Sequence, residues 1–127
     1  MAEVSITGED LVITLKGIRK IGAFKSELTI PLANVRGVTA DAGLPTGWPG
    51  FTKAPEWPGR KVLGTDFYGR YLGGTFVQDG DRVFWDVADP ERAIVITLDD
   101  VEFKRLYIEV DNPDQTVLSI ETALSQR

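Results

Sequence analysis

The segment FKRLYIEVDNPDQTVLSIETAL, residues 103–124, changes its hydrophobic period half-way along. In its first part Leu106, Ile108 and Val110 alternate with Arg105, Tyr107 and Glu109, the period of two that a strand with one face in a core requires. At Asn112 the spacing turns helical. Asn112 is a good N-cap, Pro113 suits the first helical position, where an N–H would lack a partner, and Asp114 suits the positive end of the helix dipole. Gln115 stands where a capping box places its third residue. Val117, Ile120 and Leu124 then form an apolar stripe, with Leu118 and Ala123 beside it. So short a helix cannot keep that stripe in water and must dock on the strands before it. The chain therefore reads as mainly β, closed by one C-terminal helix over 113–125.

Upstream of this segment the alternation persists in short runs. LVITL (11–15) sets Leu11, Ile13 and Leu15 on one side, and ELTIPL (27–32) does the same with Leu28, Ile30 and Leu32. Pro31 lacks a ladder donor, which places it at an edge, a bulge or the end of its strand. VRGVTA (35–40) continues after a turn at Ala33-Asn34. GTFVQDGDRVFWDV (74–87) reads as a hairpin, with Asp79-Gly80 supplying the turn. AIVITL (93–98) is almost continuously apolar, as befits a strand buried on both sides. With FKRLYIEV the expectation is a meander of about seven strands.

Residues 42–74 interrupt the rhythm with four of the seven prolines, eight of the thirteen glycines and two of the three tryptophans. So long an irregular run inside one domain is uncommon. A long excursion over 42–70 is expected, with a short strand near Lys61–Leu63 and another starting near Tyr71. Its large aromatics Trp48, Phe51, Trp57, Tyr68 and Tyr71 are residue types that anchor interfaces, and equally types that pin a loop to its own core.

Seven antiparallel strands followed by one amphipathic helix is the plan of a pleckstrin-homology-like (PH-like) barrel or sandwich capped by its helix. The segments ELTIPLANVRGV, GGTFVQDGDRVFWDV, ERAIVITL and FKRLYIEVDNPDQTVLSI resemble those of small bacterial PH-like proteins, an uncharacterised family. The resemblance runs over almost the whole chain, taken as one domain, 1–127, and is weakest over 42–70. It implies a fold rather than an activity, because such folds host unrelated functions. The chain departs from the eukaryotic phosphoinositide-binding members, whose first loop carries a lysine followed by a basic-x-Arg unit. Here Lys16 is followed by Arg19-Lys20-Ile21-Gly22, and the terminal helix has no Trp.

Composition narrows the chemistry. The 127 residues contain no His and no Cys, which removes the Ser-His-Asp and Cys-His nucleophile systems, disulfides and the usual zinc sites. A net charge of −5 runs against nucleic acid as a partner. No apolar run is long enough to span a membrane, and the acidic start MAEVSITGED has no signal-type apolar region, so a cytoplasmic protein is expected. Asp79 and Asp81 read as turn residues rather than calcium ligands, and no cofactor or metal is implied.

The strongest local charge lies in TLKGIRKIGAFKSEL (14–28), where Lys16, Arg19, Lys20 and Lys25 surround Ile18, Ile21 and Phe24. If helical, this segment scatters its cations instead of gathering them opposite the apolar face, unlike a membrane-surface helix. It reads first as a connector whose apolar trio closes the barrel, and second as a site for an anionic lipid headgroup or small molecule, which a barrel cavity could equally hold. The functional expectation is a non-enzymatic module for protein–protein contact or self-association, engaging a sheet edge, the loop aromatics or both.

Overall fold

The computed structural model describes residues 2–15, 27–40, 60–67, 71–78, 80–89, 92–99 and 102–126, with backbone alone for 60–67, 71, 72 and 78. These residues form two sheets and one α-helix. Strands β1 (Glu3–Thr7), β2 (Asp10–Thr14) and β3 (Glu27–Pro31) make an antiparallel three-stranded sheet in that order. Strands β4 (Val35–Thr39), β5 (Arg60–Phe67), β6 (Tyr71–Gln78), β7 (Asp81–Val87), β8 (Ala93–Leu98) and β9 (Arg105–Glu109) make a six-stranded sheet, ordered β4-β8-β9-β7-β6-β5. Helix α1 spans Pro113–Ser125.

The mainly β chain with its C-terminal helix is as expected, and the strand plan differs. The described strands outnumber seven, and they do not close into one barrel: β1 and β3 are the margins of one sheet, β4 and β5 of the other. Nor is the second half a meander. β9 lies between β7 and β8, pairing parallel with β7 (Trp85 opposite Tyr107) and antiparallel with β8 (Ile94 opposite Ile108). Consecutive strands β7 and β8 are thus separated by β9 instead of pairing with each other. Glu109 ties the described residues on either side to β9. Its Oε1 accepts from the N–H groups of Ala88 (2.7 Å) and Asp89 (3.0 Å), while Val110 N–H donates to Arg92 O at 3.0 Å.

Local chemistry elsewhere follows the residues. Thr7 and Asp10 close a hairpin over Gly8-Glu9, with Gly8 at φ +62°, and Gln78 and Asp81 close another with Gly80 at φ +85°. A side chain with Cβ is strained at either φ. Pro31 ends β3, where it costs no ladder bond, and a 3₁₀ turn over Leu32–Asn34 leads directly into β4. That corner is pinned by Leu32 N–H to Glu9 O (2.8 Å) and Asp99 N–H to Asn34 O (2.7 Å). Arg36 adds bonds to Ala33 O and, at 2.7 Å, to the Asp99 carboxylate. At the opposite end Ala2 N–H donates to Glu109 O at 3.1 Å, so the two sheets meet there as well.

The main core lies between the sheets. Leu11, Ile13, Leu28 and Ile30 face Phe84, Ile94, Ile96, Leu106 and Ile108 across it, and Ile120 of α1 completes it. Asn112 caps the helix as expected, its Oδ1 accepting from Gln115 N–H at 3.2 Å. α1 packs on β1, β4 and β8. Val117, Ala123 and Leu124 lie half-buried against the core, whereas Leu118 is 58% exposed on the outer side. At 100° per residue Leu118 falls well off the Val117–Ile120–Leu124 stripe, which is why it does not share its burial. A second cluster, Phe76, Val83, Trp85, Val87, Ala93 and Tyr107, occupies the other face of the six-stranded sheet.

Candidate functional site

The sequence-predicted site residues do not form a describable site. Lys16, Arg19, Lys20 and Lys25, and Trp48, Phe51, Trp57 and Tyr68, lie outside the described residues. Tyr71 opens β6 with its backbone opposite Phe67, and its side chain too lies outside them. Trp85 and Asp86 are both fully buried, but as strand neighbours they point to opposite faces and share no cleft. Trp85 stacks on Tyr107 with ring centroids 4.0 Å apart and planes within 7° of parallel. Tyr107 Oη accepts from Arg105 Nε (3.2 Å), and Arg105 pairs with Asp81 at 3.3 Å. This ladder holds β7 to β9. Among the described residues no three carboxylates gather as a metal site, and no helix is long and apolar enough to cross a membrane.

Among the described residues, concave surface opens elsewhere, along β1. This strand was not among those expected, although EVSIT alternates Val4 and Ile6 with polar residues just before a glycine turn, the ordinary signature of a hairpin arm. Its register with β2 settles which backbone groups are used. In a two-residue hairpin the closing pair, Thr7 and Asp10, exchanges both hydrogen bonds, and bonded pairs then recur at every second residue, at Ser5·Val12 and Glu3·Thr14. The N–H and C=O groups of Val4 and Ile6 consequently point away from β2, toward a margin that no described strand occupies.

Helix α1 runs beside that margin and leaves two adjoining clefts. One, of about 400 Å³, lies between Val4, Ser5 and Ile6 of β1 and Gln115, Ser119 and Ile120 of α1. The other, of about 410 Å³, continues past Ile6 to Glu9, Asp10, Leu32, Ala123 and Gln126. Ile6 lines both and is 37% exposed, although its register partner Leu11 is fully buried. Both inward-facing Ile6 and outward-facing Ser5 border the first cleft, so the opening sits at the strand margin itself. The arrangement offers unpaired backbone donors and acceptors, an apolar floor and a rigid polar wall. Among the described lining residues no nucleophile and base are in contact.

Comparison of the chain with protein-family models, with curated proteins and with solved structures finds no match in any of the three.

Proposed function

We propose that this protein is a non-enzymatic interaction module of the PH-like kind, and that it takes an extended protein segment as an added strand at the β1 margin. The observation carrying this reading is the outward backbone of Val4 and Ile6 beside a cleft walled by α1. Main-chain hydrogen bonds would supply affinity there, and the cleft would sort the side chains of the incoming strand. A β1 of five residues matches a bound segment of about five residues at roughly 3.3 Å each. The absence of histidine and cysteine from the sequence, which removes the commonest catalytic groups, supports binding over catalysis. The lack of cysteine also fits a cytoplasmic setting.

Panning random dodecapeptides displayed on phage against the immobilised protein tests this. The expected result is a set of enriched peptides that protect the Val4 and Ile6 amides from hydrogen exchange. Ile6→Pro, whose missing N–H would be the outward one, should abolish binding while circular dichroism remains native. Failure to enrich any peptide, or protection confined to other strands, would overturn the proposal.

A further inference from the structure

We infer that the segment accepted at the β1 margin is cationic and apolar, with a Lys or Arg meeting Glu9 and Asp10 and an aliphatic side chain seated over Ile6. This rests on the strand-addition reading above and adds the chemistry of the partner. The floor of the joined clefts is aliphatic, formed by Val4, Ile6, Ile120 and Ala123. Its wall is neutral and hydroxyl- or amide-bearing, from Gln115, Thr116 and Ser119. At the turn end it carries two carboxylates, those of Glu9 and Asp10, and among the described lining residues there is no cation to balance them. Helix 113–125 likewise contains no Lys or Arg. An incoming cation would therefore complete the charge pattern of the cleft, and an incoming carboxylate would be repelled.

The same charges argue against a second copy of this chain as the occupant. Its β1, EVSIT, contains no basic residue, and each copy carries a net charge of −5. Self-pairing along this margin would bring acidic surfaces together with no compensating cation from β1 or from the described lining residues.

Two synthetic heptapeptides, acetyl-KVTVTVK-amide and acetyl-EVTVTVE-amide, separate charge from strand addition, with binding followed by backbone NMR shifts. The expected result is that the lysine peptide shifts Val4, Ile6 and Ser119 and the glutamate peptide does not. Raising the ionic strength should weaken the interaction. Glu9→Lys, at an exposed turn position whose backbone bond to Leu32 is untouched by the change, should weaken it about fivefold. Equal binding of both peptides at β1, or an unaltered Glu9→Lys variant, would overturn the charge assignment and leave strand addition standing. Binding of neither would overturn this inference, while neutral phage-selected peptides at Val4 and Ile6 would still uphold the edge reading. Light scattering that shows a dimer broken by Ile6→Pro would replace the partner with a second copy, and so overturn it too.

Discussion

Strands β7 and β9 stand at the centre of the six-stranded sheet, and β1 stands at the margin of the three-stranded one. The central pair is covered on both faces. Phe84, Leu106 and Ile108 fill the inner core, and Trp85, Tyr107 and Val83 fill the outer cluster. Its backbone is paired on both sides, and Arg105 with Asp81 and Glu109 with the N–H groups of Ala88 and Asp89 tie polar groups within the sheet. β1 is bonded on one side, has one half-covered apolar face, and is mostly exposed. The centre's backbone is committed to its own sheet. The margin leaves backbone bonds and aliphatic surface unused, and a module that recognises another chain needs both.

Mutations should grade along that contrast. The largest effect belongs to Trp85→Ala, which empties a fully buried indole site and removes the stack on Tyr107. A loss of about 3–5 kcal/mol is expected in urea unfolding, a large share of the stability of an ordinary domain. A loss under about 1 kcal/mol would mean that the outer cluster is not a true second core. Asn112→Ala comes next, because it removes the cap of the helix that walls the cleft. About 1 kcal/mol should be lost, and peptide binding at β1 should weaken without vanishing, which calorimetry on the same protein would read. Smallest is Ile6→Ser, which alters a side chain already 37% exposed. Stability should fall by no more than about 1 kcal/mol, yet binding of an extended peptide should suffer most. The reverse ordering, with stability lost and binding kept, would make β1 a structural strand and remove the functional difference between margin and centre.

Much of the fold was legible because it depends on local chemistry. The period-two runs at 11–15 and 27–32 place Leu11, Ile13, Leu28 and Ile30 in the core where the spacing put them, whereas the apolar run 93–98, expected to be buried on both sides, leaves Thr97 exposed. The Gly80 turn and the Asn112-Pro113 helix start follow from φ preferences and cap bonding within a few residues. The pairing of β9 with β7 was not legible, since sequence neighbours are the usual partners and here β8 follows β7 in the chain but not in the sheet. A hint lay in the apolar character of both faces of FWDV and RLYIEV, which a one-sided meander does not need. The candidate site was almost wholly illegible. Cations and aromatics draw attention in a sequence, whereas Val4, Ile6, Gln115 and Ser119 gain meaning only from the open space between them.

The sequence by itself determined a mainly β chain, the capped helix over 113–125, the inward side of several strands, and the absence of imidazole and thiol side chains. Each of these rests on interactions spanning a few residues or on residue types that are absent. Tertiary structure alone decided that the described strands divide into a three-stranded and a six-stranded sheet, that β9 inserts between β7 and β8, and that α1 lies beside β1 without covering it. Those outcomes depend on which apolar faces find one another across long stretches of chain. Hydrophobic burial is non-directional, so the local pattern says that a face will be covered and not by what.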